Sequence, residues 1–97
     1  MSYAGAMEFE WDAAKSERNL HDRGFGFDYA ALIFLGDTIE QPDLRRGYGE
    51  VRIRAVGMVD GFCLAVTYTM RGEVRRILSA HLASRRDRDV YRSTFPE

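Results

Sequence analysis

The side chains best suited to chemistry in this sequence are arginines and two histidines. Thirteen of the fourteen basic residues are arginine, and Lys15 is the one lysine. A guanidinium is a planar fork of donors that matches phosphate oxygens two at a time and stays charged at working pH. Residues 51–97 carry nine arginines against five carboxylates, whereas residues 1–50 carry ten carboxylates against five basic groups. The net charge of −1 therefore hides a basic second half, which makes contact with a phosphate polymer feasible there. His21 and His81 add side chains that can transfer a proton near neutral pH. Other site types are poorly supplied. One cysteine and two distant histidines cannot make a zinc site, and Cys63, set in an apolar stretch, reads as a buried reduced thiol. Gly24-Phe25-Gly26 follows a helical pattern, the wrong context for a dinucleotide fingerprint. Paired carboxylates suited to glycoside chemistry are not evident.

The elements that must position these groups follow from periodicity and capping. Met7 to Trp11 alternates polar and apolar residues as a short opening strand does. Asp12 is a good cap for a first helix, which closes near Asn19-Leu20 with Gly24 as the stop. Asp28 is expected to cap a second helix with Tyr29, Leu32, Ile33 and Phe34 on its apolar side and Gly36 at its end. Asp37 to Gly49 is turn-rich, containing Pro42 and Gly47, with at most a short strand at Thr38-Ile39-Glu40. Val51 to Val56 then alternates with period two, and Asp60-Gly61 is a hairpin signal. Phe62 to Thr69 is a second strand of that set, Arg71-Gly72-Glu73 a turn, and Val74 to Ala80 a third. Ser84, with Asp87 three residues on, opens a C-terminal helix. The expected class is α+β: an antiparallel meander with two N-terminal helices and one C-terminal helix. At 97 residues there is room for one core, and a chain this short favours a tight partner or a second copy of itself as a homodimer. The longest apolar run, Tyr29 to Leu35, is too short to span a membrane, and Met1 to Ala6 lacks the pattern of a signal peptide. The expected location is the cytoplasm.

Several of these residues also fall in an order that resembles the BrnT family. The match runs through Phe9-Glu10-Trp11-Asp12, Lys15, Asn19, Gly24 and Phe27, then Gly49-Glu50, Arg52 and Gly57. It continues with Tyr68-Thr69, Arg71, Arg76-Ile77-Leu78-Ser79-Ala80 and the arginine-rich run before Tyr91. Met7 resembles the usual family start, which makes residues 1–6 an extension and residues 7–97 the single domain. The resemblance implies a RelE-like fold and a toxin of a type II toxin–antitoxin system that cuts mRNA without a metal. It also implies a ribbon-helix-helix antitoxin of the BrnA kind as partner, with operator DNA bound only through that antitoxin.

Metal-independent RNA cleavage needs a base for the 2′-hydroxyl proton, a cation at phosphorus and an acid for the leaving 5′-oxygen. By residue type and placement, Arg52, Arg76, His81 and Glu50 are the candidates for these tasks, and Arg71, Tyr68, Lys15 and Arg85 for holding RNA. Arg75 and Arg76 must point to opposite faces of a strand, so only one joins a common patch, and the family alignment selects Arg76. Each residue has a plainer reading. The strand arginines could be a solvated face with surface ion pairs, and Glu50 could hold Arg52 rather than take a proton. Tyr68 could be core, His21 and His81 surface or capping residues, and Arg85 a helix-face partner of Asp89. Two positions depart from the family pattern. Asp22-Arg23 stand where a basic residue and a histidine are usual, and His81-Leu82 stand where basic residues usually follow Ser79-Ala80. The second departure leaves an alternative: a catalytically impaired binding module that serves as antitoxin partner and transcriptional co-repressor.

Overall fold

The computed structural model describes residues 7–44 and 49–96. Residues 1–6, read above as an extension, and Gly47 of the turn-rich segment lie outside the described residues. The chain opens with strand β1 (Glu8–Trp11), helix α1 (Ala13–Arg23) and a single α-turn, α2 (Phe27–Ala30), which tightens into a 3-10 helix over Ala31–Leu35. Four strands follow, β2 (Ile39–Pro42), β3 (Arg52–Val59), β4 (Phe62–Arg71) and β5 (Val74–Leu82), and helix α3 (Arg85–Thr94) closes the chain. The five strands form one sheet in the order β1-β5-β4-β3-β2.

Most of this follows from local chemistry. The Asp12 carboxylate accepts the Lys15 N–H at 3.0 Å, and Gly24 ends α1 in the left-handed region. Ser84 caps α3 by accepting the Asp87 N–H at 3.1 Å. Asp60 and Gly61 both adopt positive φ, 50° and 83°, the geometry of a tight hairpin turn joining β3 to β4.

Three expectations need correction. The sheet is mixed rather than a pure antiparallel meander, because β1 pairs with β5 in parallel, Glu10 opposite Arg76 and Trp11 opposite Ile77. Two strands that leave the same end of a sheet need a crossover between them, and here helices and three further strands intervene. The second helix is capped at Gly26, not Asp28, and starts at Phe27. Phe27 is buried, and its N–H donates to Ser16 Oγ of α1 at 2.8 Å, so the cap is supplied across the helix pair. The edge strand sits at Ile39–Pro42, starting one residue and ending two residues beyond the expected Thr38-Ile39-Glu40, and β5 continues to Leu82.

One sheet face packs on α2 and the 3-10 helix. Phe27, Ile33, Leu64, Val66, Tyr68 and Ile77 form its centre, with Phe9 and Trp11 packed beside them. Gly57 lets the 3-10 helix approach: a Cβ there would lie 2.9 Å from Ile33 Cβ and 3.1 Å from Thr38 Cγ2. On the opposite face α3 covers only a small cluster, Val56, Cys63, Ala65 and Ala83 with Tyr91. Cys63 is a buried free thiol, and burial holds its pKa above the ordinary range. Among the described residues no helix is long and apolar enough to cross a membrane.

Replacing Gly57 by valine forces Ile33 aside, and the expected cost is about 1–3 kcal/mol, read as a lower urea midpoint at unchanged slope. A midpoint equal to wild type would show that the helical layer does not press on the sheet at this position.

Candidate functional site

The candidate site is the sheet face opposite the N-terminal helices, which α3 covers in part. Because side chains alternate along a strand, register alone assigns residues to this face. Arg52 of β3 lies opposite Thr69 of β4, which lies opposite Arg76 of β5, making one row across three strands. The next row is Arg54, Thr67 and Ser79, and the third is Val56, Ala65 and His81. Arg52, Arg76 and His81 thus share a face. Neighbouring strands spaced at about 4.8 Å put Arg52 and Arg76 roughly 10 Å apart at Cα, and two rows put His81 roughly 13 Å from Arg76.

His81 reaches this face through an irregularity. Tyr68 pairs with Ile77 but Thr67 pairs with Ser79, so Leu78 is an extra residue in β5. Strict alternation from Arg76 would send His81 to the helix-covered side, and the bulge reverses that. Its Nδ1 lies 2.8 Å from the Leu82 carbonyl oxygen. A carbonyl only accepts, so Nδ1 carries the proton of that bond and Nε2 is left to exchange protons with a ligand.

Carboxylates hold the arginines of the face. Glu50 spans two of them, with Oε2 3.5 Å from Arg52 Nε and Oε1 3.7 Å from Arg71 Nη2. Glu10 Oε2 accepts from Arg76 Nη1 at 2.9 Å, across the parallel β1–β5 pair. Arg54 Nη2 donates to Asp87 Oδ2 of α3, a short contact that pins the helix to the sheet. The Arg54 hydrogen bond, helped by Ser84, holds the Asp87 carboxyl below its ordinary pKa of 3.8. Arg54 and Asp87 were not selected from sequence. The signal for Arg54 was present, since it stands two residues from Arg52 in a period-two run.

The other expected residues fall elsewhere. Tyr68 is 3 % exposed on the helix-covered side, its ring edge-on to Phe34 at 5.5 Å, with Arg75 over it at 5.3 Å. Its hydroxyl donates to Glu40 Oε1 at 2.5 Å, and burial, then this bond, raises its pKa. A base cannot stack on a ring so enclosed, which corrects its place among RNA-holding residues. Arg75 lies over the Tyr68 and Phe34 rings, on the face opposite Arg76. Lys15 lies on α1, bound through Ser16 and Asn19 to the α2 side, where it lines a hollow with Arg18, Arg23 and Ser79 at the rim of β5. Arg85 is exposed in the first turn of α3 and forms no ion pair with Asp89. His21 is 89 % exposed beside Asp22, at 3.0 Å, away from the sheet face. A larger hollow of about 440 Å³ opens between Leu20, Phe25, Phe62 and Leu82, on the side of the sheet that carries the N-terminal helices.

Against known proteins, the family model described as "Ribonuclease toxin, BrnT, of type II toxin-antitoxin system" matches residues 11–87. No curated protein matches the chain.

The Asp87 shift fixes the sign of a pH effect. A carboxyl with a depressed pKa in the fold contributes stability above its ordinary value and loses it as pH falls through the folded value. Asp87→Asn is therefore expected to lower stability at pH 7 by about 1–2 kcal/mol, with the gap to wild type closing as pH drops below 3.8 toward 2. Denaturant midpoints of both proteins across this range measure it; a gap independent of pH would remove the ion pair as its source.

Proposed function

The chain belongs to the BrnT family of ribonuclease toxins of type II toxin-antitoxin systems, and from that premise we propose that the arginine-bearing sheet face binds and cuts mRNA without a metal. The observation that carries the reading is the shared face of Arg52, Arg54, Arg76 and His81. In this reading single-stranded RNA lies across the strands, and its phosphates exchange with carboxylates for the arginine forks. The 2′-hydroxyl gives up its proton to a base, the 2′-oxygen attacks phosphorus, and the P–O5′ bond breaks as an acid protonates the 5′-oxygen. The products are a 2′,3′-cyclic phosphate and a free 5′-hydroxyl. Arg76 stabilises the charge at phosphorus, Arg52 and Arg71 hold the neighbouring backbone, and His81 transfers a proton through Nε2. Glu50, between Arg52 and Arg71, serves here to hold those two cations in place. Arg85 extends the cationic surface from α3, and Lys15 meets RNA only where a strand passes the rim of β5.

A type II system implies an antitoxin. We assign it to the ribbon-helix-helix class, acting in the cytoplasm on the free toxin and carrying it to operator DNA, with a homodimer of the chain as its alternative packing partner.

Purified protein incubated with mRNA in excess chelator is expected to give fragments ending in cyclic phosphate. Arg76→Ala should slow this by about 10²–10³-fold, and His81→Ala by about 10²–10⁴-fold. RNA left intact by wild-type protein would overturn the assignment.

One observation favours a second reading. Arg54, Arg71 and Arg76 each pair with a carboxylate of the same chain, and His81-Leu82 replaces basic residues. In that reading the chain is an impaired binding module that tightens operator binding by the antitoxin. Induction without the antitoxin decides between them: growth arrest is expected for the ribonuclease, and unaffected growth with tighter operator binding by the pair for the module.

A further inference from the structure

A cleft of about 260 Å³ separates α3 from the β2–β3 pair on the arginine side of the sheet. Ile39, Val56 and Val90 give it apolar walls, and Gln41, Arg86 and the Arg54–Asp87 pair supply its polar groups. Ile39 and Gln41 reach it because β2 pairs with β3 so that they lie opposite Val56 and Arg54. Resting on the RNA reading above, we propose that this cleft is a subsite for one unpaired base of the RNA strand, the base being one that bears an exocyclic amino group.

The size and lining both favour a base over a phosphate. The volume lies below the usual range for a drug-sized ligand, about 300–1,000 Å³, and suits one planar ring. Apolar walls stack against the faces of a ring, as single-stranded RNA recognition requires, whereas they give nothing to a phosphate. The Asp87 carboxylate repels a phosphate and accepts from an amino group. Adenine, cytosine and guanine each present such a group. Uracil presents carbonyl oxygens at the corresponding positions and meets Asp87 unfavourably. The Gln41 amide offers a donor and an acceptor together, so it can complete a base edge. Arg86 stands at the cleft with its charge available to the phosphate of the seated nucleotide. Arg54 is common to the cleft and to the middle arginine row, so a strand held along the rows delivers a base here without a gap.

The test maps cuts along a single-stranded RNA of mixed sequence and measures binding of uncleavable 2′-O-methyl tetranucleotides differing at one base. Wild type is expected to disfavour uridine at one fixed position relative to the cut, and in binding, by about tenfold. Val90→Trp, at a half-exposed wall position, fills the cleft and should flatten that preference while the remaining cuts persist; Gln41→Ala, on the exposed edge strand, should weaken it without filling anything. Circular dichroism and thermal midpoints establish that both variants fold. Positional preferences identical in wild type and both variants, or a preference for uridine, overturn the subsite and leave the RNA reading standing. Failure of wild type to bind or cut any RNA overturns both.

Discussion

Burial of the sheet face beneath α2 and the 3-10 helix is the constraint from which the rest of this structure follows. Phe27, Ile33, Val66, Tyr68 and Ile77 close against one another on that side, and a one-residue slip of any central strand would expose them. Register is thereby fixed by apolar packing. The opposite face, apolar only in the small cluster under α3, has a lesser part in it, and elsewhere receives the residues that the period of two leaves over. Those residues are Arg52, Arg54 and Arg76 in adjoining rows, which is how a core made of ordinary apolar side chains comes to set the spacing of three guanidiniums.

The same face shows how a domain near charge neutrality can carry such a cluster. Each of the arginines at 54, 71 and 76 meets a carboxylate, and those carboxylates come from three separate parts of the chain. The most exposed of these pairs, Arg71–Glu50, contributes little, roughly 0–1 kcal/mol, and its effect on stability is smaller than its effect on geometry. The pairs hold long side chains in one arrangement and lower the repulsion between like charges. A phosphate that replaces a carboxylate meets a cation already positioned, at the cost of freeing the carboxylate to solvent.

Helix α3 has a different relation to the sheet from the N-terminal helices. It rests on a small cluster around Val56, Cys63 and Ala65, is pinned by Arg54 to Asp87, and is tied by the Tyr91 hydroxyl to the Asp37 carbonyl at 2.8 Å. With so little buried area beneath it, α3 leaves a cleft where a more apolar helix would have closed one. Its first turn therefore borders the arginine rows instead of sealing them.

The sequence by itself determined much of this protein. Asp12, Gly24, Asp60-Gly61 and Ser84 set element ends through local hydrogen bonds and permitted φ values, which need no distant partner. The period-two run at Val51–Val56 placed Arg52 and Arg54 on one face, and the order of motifs indicated the family. Tertiary structure decided what depends on contacts far apart in the chain. The parallel pairing of β1 with β5 brings Glu10 to Arg76 across 66 positions, and no local pattern encodes that. Tyr68 is apolar and polar at once, so only packing against Phe34 and the bond to Glu40 showed it to be core. His81 shows the division best. Alternation counted from Arg76 assigns it to the buried side, and the bulge at Leu78, which lets Ile77 and Ala80 both face the core, brings it round to the arginines.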